Sequence, residues 1–216
     1  MKKIALLVLI VTTIKLNAQE RVITTSVPFL LIAGDARSAG MADMGVATSA
    51  DAFSQQYNPS KYAFSLFEQG FSISYTPYLT DIANDISLGQ VNYYNRINER
   101  SAFAGSLRYF SLGDIELRQS FDDFPVTVSP NELAVDLSYS LKLSDRFAMG
   151  VAGRFISSSL KIPDGTSDAS AASTFAFDVS GYYQSEEQAY TDFDGRWRAG
   201  FNLQNLGPKI KYDNGI

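Results

Sequence analysis

Two residue types that carry much of protein chemistry are missing from this chain, which has no cysteine and no histidine among 216 residues. Without cysteine there is no disulfide, no thiol nucleophile and no lipidated N-terminal cysteine. Without histidine the chain lacks histidine-dependent catalytic triads and a ligand that most zinc sites use. We assign no catalytic, cofactor-binding or metal-binding residues.

Long apolar runs and an excess of basic charge are also absent. No apolar run approaches the roughly 20 residues of a membrane-spanning helix, although 45% of the residues are hydrophobic. With 18 basic against 23 acidic residues, the formal net charge is -5, which gives no footprint for a nucleic-acid partner. Aromatic side chains, in contrast, are abundant, with 12 tyrosines and 15 phenylalanines beside one tryptophan.

Residues 1–18 have the pattern of a secretory signal peptide. Lys2 and Lys3 give the basic start, an apolar core follows at residues 4–14, and Leu16-Asn17-Ala18 gives the cleavage site. A transmembrane anchor is the alternative, but the apolar run is too short for one. We therefore predict an exported protein that is cleaved after Ala18.

Residues 19–64 are rich in small side chains and do not alternate between apolar and polar positions. Asn58 and Pro59 mark a turn. A phosphate loop around Gly45 is a possible reading, but Lys and Ser or Thr do not follow this glycine and no strand precedes it. We predict that residues 19–64 form a compact hatch, or plug, of short helical turns.

Residues 132–157 show the alternation around which the rest of the chain is organised. Large apolar side chains take every second position, and small or polar ones take the others, on both sides of a turn at Ser144 and Asp145. Side chains alternate faces along a strand, so the pattern predicts a two-stranded hairpin with one apolar face. Each strand has about 10 to 12 residues, which suits a tilted membrane strand better than the 5 or 6 typical of a soluble sandwich.

Similar alternation from residue 65 onward gives seven predicted strands. We predict an all-β fold, a transmembrane antiparallel β-barrel, with a soluble β-sandwich as the alternative. The hairpin residues predicted to face outward are Leu133, Val135, Leu137, Tyr139, Leu141, Phe147, Met149, Val151 and Phe155. The charged residues predicted to face inward are Arg108, Asp136, Lys142, Arg154, Asp178 and Arg198. In a dry sandwich core these charges would be costly unless paired, whereas a polar lumen accommodates them.

The predicted connections alternate in length. The second and fourth are tight turns, the first, third and fifth are longer, and the sixth is moderate. Outer-membrane barrels have short periplasmic turns and long external loops, so this parity places the hatch on the periplasmic side. Residues 111–131 and 158–173 exceed what joining two strands requires, and we predict that these two loops contact partners.

An odd number of strands cannot close a bacterial barrel. Residues 212–216 read as a turn rather than as a closing strand. We therefore expect residues 65–216 to be about the first half of a larger barrel. Aromatic side chains such as Tyr75 and Trp197 lie near strand ends, where interfacial girdles are expected.

Six stretches of the sequence carry a family resemblance: FLLIAGDAR at 29–37, GVATSADA at 45–52, YNPSKYAF at 57–64, RYFSLGDI at 108–115, AGRF at 152–155 and NLGP at 205–208. They resemble the PorV (LptO) family of type IX secretion outer-membrane proteins of the Bacteroidetes. The wider similarity is to FadL-like barrels, which share an N-terminal hatch and an Asn-Pro-Ala-like turn, here Asn-Pro-Ser at 58–60. Gly34 stands where the PorV family is expected to have proline.

The resemblance implies a FadL-like barrel of about 14 strands, an even number as such barrels require. It also implies a non-enzymatic protein of the cell outer membrane, in contact with its lipid and lipopolysaccharide. Such proteins bind the C-terminal signal domain of secreted cargo and shuttle it from a SprA/Sov-like translocon barrel to a PorU-like sortase, which attaches the cargo to lipopolysaccharide.

Two other functions remain as alternatives. One is a FadL-like channel for hydrophobic small molecules, which the small and charged inward residues disfavour because such a channel needs an apolar lumen site. The other is a barrel hydrolase, which the missing histidine disfavours.

Overall fold

The computed structural model describes residues 27–81, 83–118, 124–160 and 171–212. The signal peptide predicted at residues 1–18 lies outside these ranges, as does most of the predicted C-terminal turn. No helix in the described ranges has the length and apolar character to cross a membrane.

The alternating segments form one antiparallel sheet of seven strands, which confirms the predicted strands and their order. Two short ladders, each of two strands, stand apart from it. In chain order the strands are β1 (Gln69–Pro77), β2 (Ile86–Arg96), β3 (Ser101–Leu112), β4 (Ile115–Leu117), β5 (Val126–Val128), β6 (Asn131–Ser144), β7 (Phe147–Ser159), β8 (Ala172–Gln184), β9 (Gln188–Ala189), β10 (Asp194–Gly195) and β11 (Arg198–Leu206). The order across the sheet is β1-β2-β3-β6-β7-β8-β11, with β1 and β11 at its edges.

The segment before the sheet is folded into short helical turns, as its small residues predict. These are a 3-10 turn at Pro28–Leu31, α1 (Ala36–Gly40), α2 (Ser54–Tyr57) and a 3-10 turn at Pro59–Phe64. Asp35 caps α1 by accepting a hydrogen bond from the Ser38 backbone N–H at 2.9 Å. Asn58 caps the second 3-10 turn in the same way, through the Ser60 backbone N–H. These caps satisfy N–H groups that a helix start leaves unpaired.

The two faces of the sheet are chemically opposite. One face, which we call the polar face, carries small, polar and charged side chains and is covered by the N-terminal segment. The other, which we call the apolar face, carries the large hydrophobic side chains of the alternating pattern. The hairpin side chains predicted to face outward all lie on it, and no second sheet covers it within the described residues. Leu137 is 70% exposed there.

The connections leave the sheet at two rims. At the loop rim lie the strand ends joined by the β1–β2, β3–β6 and β7–β8 connections, and the turn rim carries residues 97–100, 145–146 and 185–197. The predicted alternation of lengths holds for the first five connections. It is wrong for the sixth connection, which was expected to be of moderate length. Residues 185–197 contain the β9–β10 ladder, and this connection is as long as the fifth.

Candidate functional site

Arg108 of β3 holds the first turn of the N-terminal segment against the polar face. Its guanidinium donates to the backbone carbonyls of Phe29, Leu30 and Ile32 at 3.2, 3.1 and 2.6 Å. The carbonyls of Leu30 and Ile32 lie at the end of the 3-10 turn, where a helix leaves acceptors without internal partners. The carbonyl of Phe29 also accepts from the Ile32 backbone N–H. One buried side chain of the sheet therefore satisfies the end of a turn that lies far from it in sequence.

Asn58 is the centre of a second attachment and is fully buried. Its amide nitrogen donates to the carbonyl of Val46 at 2.9 Å and to that of Gly181 in β8 at 3.0 Å. Its amide oxygen accepts from the backbone N–H of Ser60 at 3.1 Å. The Asn-Pro-Ser turn thus closes a loop within the segment and binds it to the sheet at the same time.

Two glycines let the segment come this close. A Cβ at Gly150 would lie 2.9 Å from the Ser60 nitrogen, and a Cβ at Gly200 would lie 2.6 Å from the Val46 carbonyl oxygen. Real Cβ atoms do not approach backbone at such distances, so larger residues would push the segment away from the sheet. Glycine in a strand is typical where another backbone approaches closely.

Further side chains of the sheet bind backbone groups of the segment around this turn. Asn202 donates to the carbonyl of Tyr57 at 2.7 Å, and Tyr182 donates to that of Thr48 at 3.1 Å. Gln204 donates to the carbonyl of Gln56. These hydrogen bonds add to apolar contacts between the segment and the sheet, in which Phe29 packs with Phe110 and Tyr62 packs with Tyr94.

A buried charge cluster lies on the same face. The Arg154 guanidinium pairs with Asp136 and, at 3.0 Å, with Asp178. Ser106 donates to Asp136 at 2.9 Å, and the Asn205 backbone N–H donates to Asp178 at 2.7 Å. The charged side chains are at most 5% exposed. Every charge in the cluster is paired, which is the condition for holding charges away from water.

Lys61 is a buried cation within the segment itself. Its ammonium donates to the carbonyl of Gly45 at 2.9 Å and to the hydroxyl of Thr48 at 3.0 Å. Burial lowers the pKa of Lys61 to about 8, although the nearby Asp51 carboxylate acts in the opposite direction. Lys61 therefore links the second 3-10 turn to the loop at residues 45–48.

Two of the three connections at the loop rim are joined by a hydrogen bond. The Asp85 carboxylate in the first accepts from the backbone N–H of Asp114 in the third at 2.8 Å. Beyond Asp114 the β4–β5 ladder projects from the rim, with Phe124 94% exposed beside it. The predicted contact loop 111–131 thus has a strand pair of its own, while most of the loop 158–173 lies outside the described residues.

A mainly apolar cavity of about 630 Å³ opens below this rim. Its walls include Phe29 and Leu31 of the segment and Tyr78 and Phe110 of the sheet side. Elsewhere in the described residues, no cluster of three or more acidic side chains is arranged to hold a metal ion. The polar face of the described residues therefore offers attachments, paired charges and an apolar cavity.

A family model for the type IX secretion system protein PorV matches residues 15–216. The chain belongs to the PorV family. A search of curated proteins returned no match. Membership confirms the resemblance seen in the sequence. It makes the chain a component of the type IX secretion system. The PorV family is known as a family of secretion components and not as a family of enzymes.

Several of the stretches that resemble the PorV family contribute to the attachment. Residues 29–37 supply the carbonyls that Arg108 binds, and residues 57–64 supply the Asn58 turn. Gly34 departs from the proline expected in the PorV family, and a Cβ there would lie 1.6 Å from the Gln90 side-chain oxygen. A residue with a Cβ at position 34 would require Gln90 to move.

The structure brings together part of what the sequence predicts. Asp136, Arg154 and Asp178, each predicted to face inward, form one cluster, and Arg108 binds the segment. Lys142 instead lies 4.8 Å from the centre of the Phe64 ring, and Arg198 is exposed and bonded to Gln184. The role of Asn58 as an attachment was not predicted, because the Asn-Pro dipeptide indicates a turn but not what lies opposite it.

Proposed function

We propose that this chain is an outer-membrane component of the type IX secretion system that binds the C-terminal signal domain of secreted cargo. It carries this cargo from the translocon barrel to the sortase at the cell surface, without catalysing a reaction itself. The observation that carries the proposal is the family match over residues 15–216. The partners proposed with it are the translocon barrel, the sortase and lipopolysaccharide.

The proposed architecture is a signal peptide at residues 1–18, a hatch at 19–64 and the first half of a FadL-like barrel at 65–216. The strands of the main sheet have 9 to 14 residues, and a membrane strand needs about 9 to 11. Side chains such as Leu137 and Val151 leave a large apolar face exposed, which lipid would cover. The hatch is supported by the segment that Arg108 and Asn58 hold against the polar face.

We place cargo binding on the loop rim. The β4–β5 ladder projects from it, and its strands Ile115–Leu117 and Val126–Val128 pair with each other and stand apart from the main sheet. An exposed strand edge can add a strand of a β-rich partner by main-chain hydrogen bonds. Phe124 and Val126 are 94% and 61% exposed there and supply the apolar contact that such an interface needs.

Deletion of the gene in its host tests the function directly. Cargo proteins with the C-terminal signal domain should then accumulate unprocessed and without surface attachment, while uptake of hydrophobic nutrients stays normal. Normal processing with impaired uptake of such a nutrient would contradict the proposal and support a channel.

A point variant tests the binding surface. We expect Phe124→Asp to reduce cargo processing in the deletion strain and to lower cargo affinity about 10-fold, or roughly 1.4 kcal/mol, through loss of one apolar anchor. Leu66→Asp is the matched control, since Leu66 is 88% exposed at the opposite rim. Equal defects in the two variants, or none in Phe124→Asp, would place cargo binding elsewhere.

The second candidate function is a FadL-like channel for hydrophobic small molecules. It is favoured by the apolar cavity of about 630 Å³ between Phe29, Leu31, Tyr78 and Phe110. If this cavity serves transport, Leu31→Asp should abolish uptake of a hydrophobic nutrient and leave cargo processing intact. The shuttle proposal expects no effect on uptake.

A further inference from the structure

A polar cavity of about 420 Å³ opens at the turn rim, between the end of the N-terminal segment and the sheet. Arg96 of β2 and Lys142 of β6 line it from the sheet side. Each of them stands two residues beyond a side chain that is buried on the polar face, Tyr94 and Ser140 respectively. Because side chains alternate along a strand, both cations lie on the polar face, away from the apolar one.

Both cations have hydrogen-bond donors that the described residues leave unused. The Arg96 guanidinium donates through Nη1 to the backbone carbonyl of Ser65, whereas its Nη2 is not buried and has no partner among the described residues. The Lys142 ammonium lies 4.8 Å from the centre of the Phe64 ring and donates no hydrogen bond within the same ranges. The cavity therefore presents free donors from two positively charged groups.

The charges of these two residues are not compensated inside the cavity. Its other two arginines are neutralised by ion pairs at 2.6 and 2.8 Å, which are Arg146–Glu186 and Arg196–Glu187. Arg96 and Lys142 repel each other, and neither forms an ion pair within the part of the chain that the structure describes. Asp145 and Glu99 attract the Lys142 ammonium, but only from beyond ion-pair distance. An anion in the cavity would relieve the repulsion.

We propose that this cavity binds a carboxylate of a polypeptide on the turn-rim side, through Arg96 and Lys142. A guanidinium N–H and an ammonium would each donate a charge-assisted hydrogen bond to it. A monoanion suits the cavity better than a phosphate dianion, because the Asp145 and Glu99 charges would repel the extra charge. That this rim faces the periplasm rests on the proposed function, whereas the site itself does not.

An NMR titration of the purified full chain in detergent micelles tests the site without any secretion assay. The probe is N-acetylalanine, which carries one carboxylate. It is compared at constant ionic strength with the uncharged amide of the same molecule and with inorganic phosphate. We expect the carboxylate to shift the backbone N–H signals of Phe64 and Ser65 in a saturable way, the phosphate to bind more weakly, and the amide to have no effect.

Lys142→Met should weaken carboxylate binding about 10-fold, as expected for the loss of one charge-assisted hydrogen bond, and Lys142→Arg should retain it. Lys209→Met is the matched control, because it removes the same charge from an exposed lysine outside the cavity. Equal shifts by the acid and its amide, tighter binding of phosphate, or equal affinity in Lys142→Met and Lys209→Met would overturn the site. Since the titration needs no cargo, it can succeed where the gene deletion contradicts the proposed function, and the reverse.

Discussion

The two faces of the seven-stranded sheet differ in which residues are buried and which are exposed. On the polar face, Asp136, Arg154 and Asn58 of the attached segment are almost fully buried. On the apolar face, Leu137 and Phe177 are 70% and 63% exposed. A protein that folds in water buries its hydrophobic residues and exposes its charges. Here one strand does the opposite, because β6 buries Asp136 on one face and exposes Leu137 on the other.

The comparison shows that the two faces are stabilised by different physics. The polar face depends on specific partners, because each buried polar group must find a hydrogen bond or an opposite charge. The apolar face depends on the medium, because no second layer of the described residues covers it. Variants on the two faces should therefore fail in different ways, and four predictions use that difference.

The largest effect is expected from Arg154→Met. It leaves Asp136 and Asp178 buried without their cation, and breaking a buried pair from one side typically costs about 3–5 kcal/mol. Arg198→Met is the control, since Arg198 is on the same face but exposed, and its cost should stay within about 0.5 kcal/mol. Urea unfolding of the reconstituted protein measures both. Similar urea midpoints for the two variants would show that water reaches the charge cluster and solvates the two carboxylates.

Leu137→Arg tests the apolar face. Leu137 lies at the middle of β6, and an arginine at the centre of a bilayer costs a barrel about 2–4 kcal/mol. Leu143 lies near the turn rim on the same strand and face, so Leu143→Arg should cost only about 0–1 kcal/mol. The free energy of unfolding in vesicles is the measurement. Equal costs at the two depths would mean that this face does not lie in a membrane.

Asn58→Asp tests the attachment at nearly constant shape. A carboxylate would face the carbonyls of Val46 and Gly181 in place of two donated hydrogen bonds, at a cost of about 1–3 kcal/mol. Asn98→Asp is the control, because Asn98 only accepts, from the N–H groups of Arg100 and Ser101, and a carboxylate still accepts them. Hydrogen exchange should rise in residues 45–65 but not in the sheet. Faster exchange throughout the sheet would show that the attachment is part of one cooperative unit.

The last prediction is a dependence of stability on pH through Lys61. The pKa of Lys61 is about 8 when buried and 10.5 in its ordinary state, so between these values the unfolded chain binds more protons. The free energy of unfolding should therefore rise with pH from about 8 to 10.5 and be independent of this group below about 8.

Lys61→Met should lack this rise, and Lys209→Met, at an exposed lysine, should retain it. The unfolding midpoint is compared with that of the wild type at each pH. Parallel curves for the wild type and Lys61→Met would show that Lys61 is solvated.

Much of the sheet could be predicted because its signal is local. β2 begins and ends where the alternation predicts, at Ile86 and Arg96, and the hairpin of β6 and β7 extends the predicted segment by only one or two residues. Within a strand, whether a residue stands at an odd or an even position decides which face of the sheet its side chain takes. The β4–β5 and β9–β10 ladders were not predicted, because runs of two or three residues are too short to show a period.

The candidate site could be predicted only in part. The sequence indicates that Arg108 and Arg154 face the polar side, but their roles differ. Arg108 binds three carbonyls, whereas Arg154 joins two carboxylates. The alternation predicts the same face for both arginines and does not distinguish their partners. Which partner each one meets depends on the strand register and on where the N-terminal segment lies.

The sequence by itself determined that this chain is a set of long two-faced strands after a non-alternating segment rich in small residues. It also determined the family, through stretches such as those around Asn58 and Arg108. Only the tertiary structure decided that these stretches meet, because Asn58 and Gly181 are 123 residues apart and nothing local encodes their hydrogen bond. The same holds for Trp197, whose backbone N–H donates to the Ser185 hydroxyl and whose indole N–H donates to the Tyr190 hydroxyl. Alternation is a property of neighbouring residues, whereas contacts between distant residues exist only once the sheet and the segment have assembled.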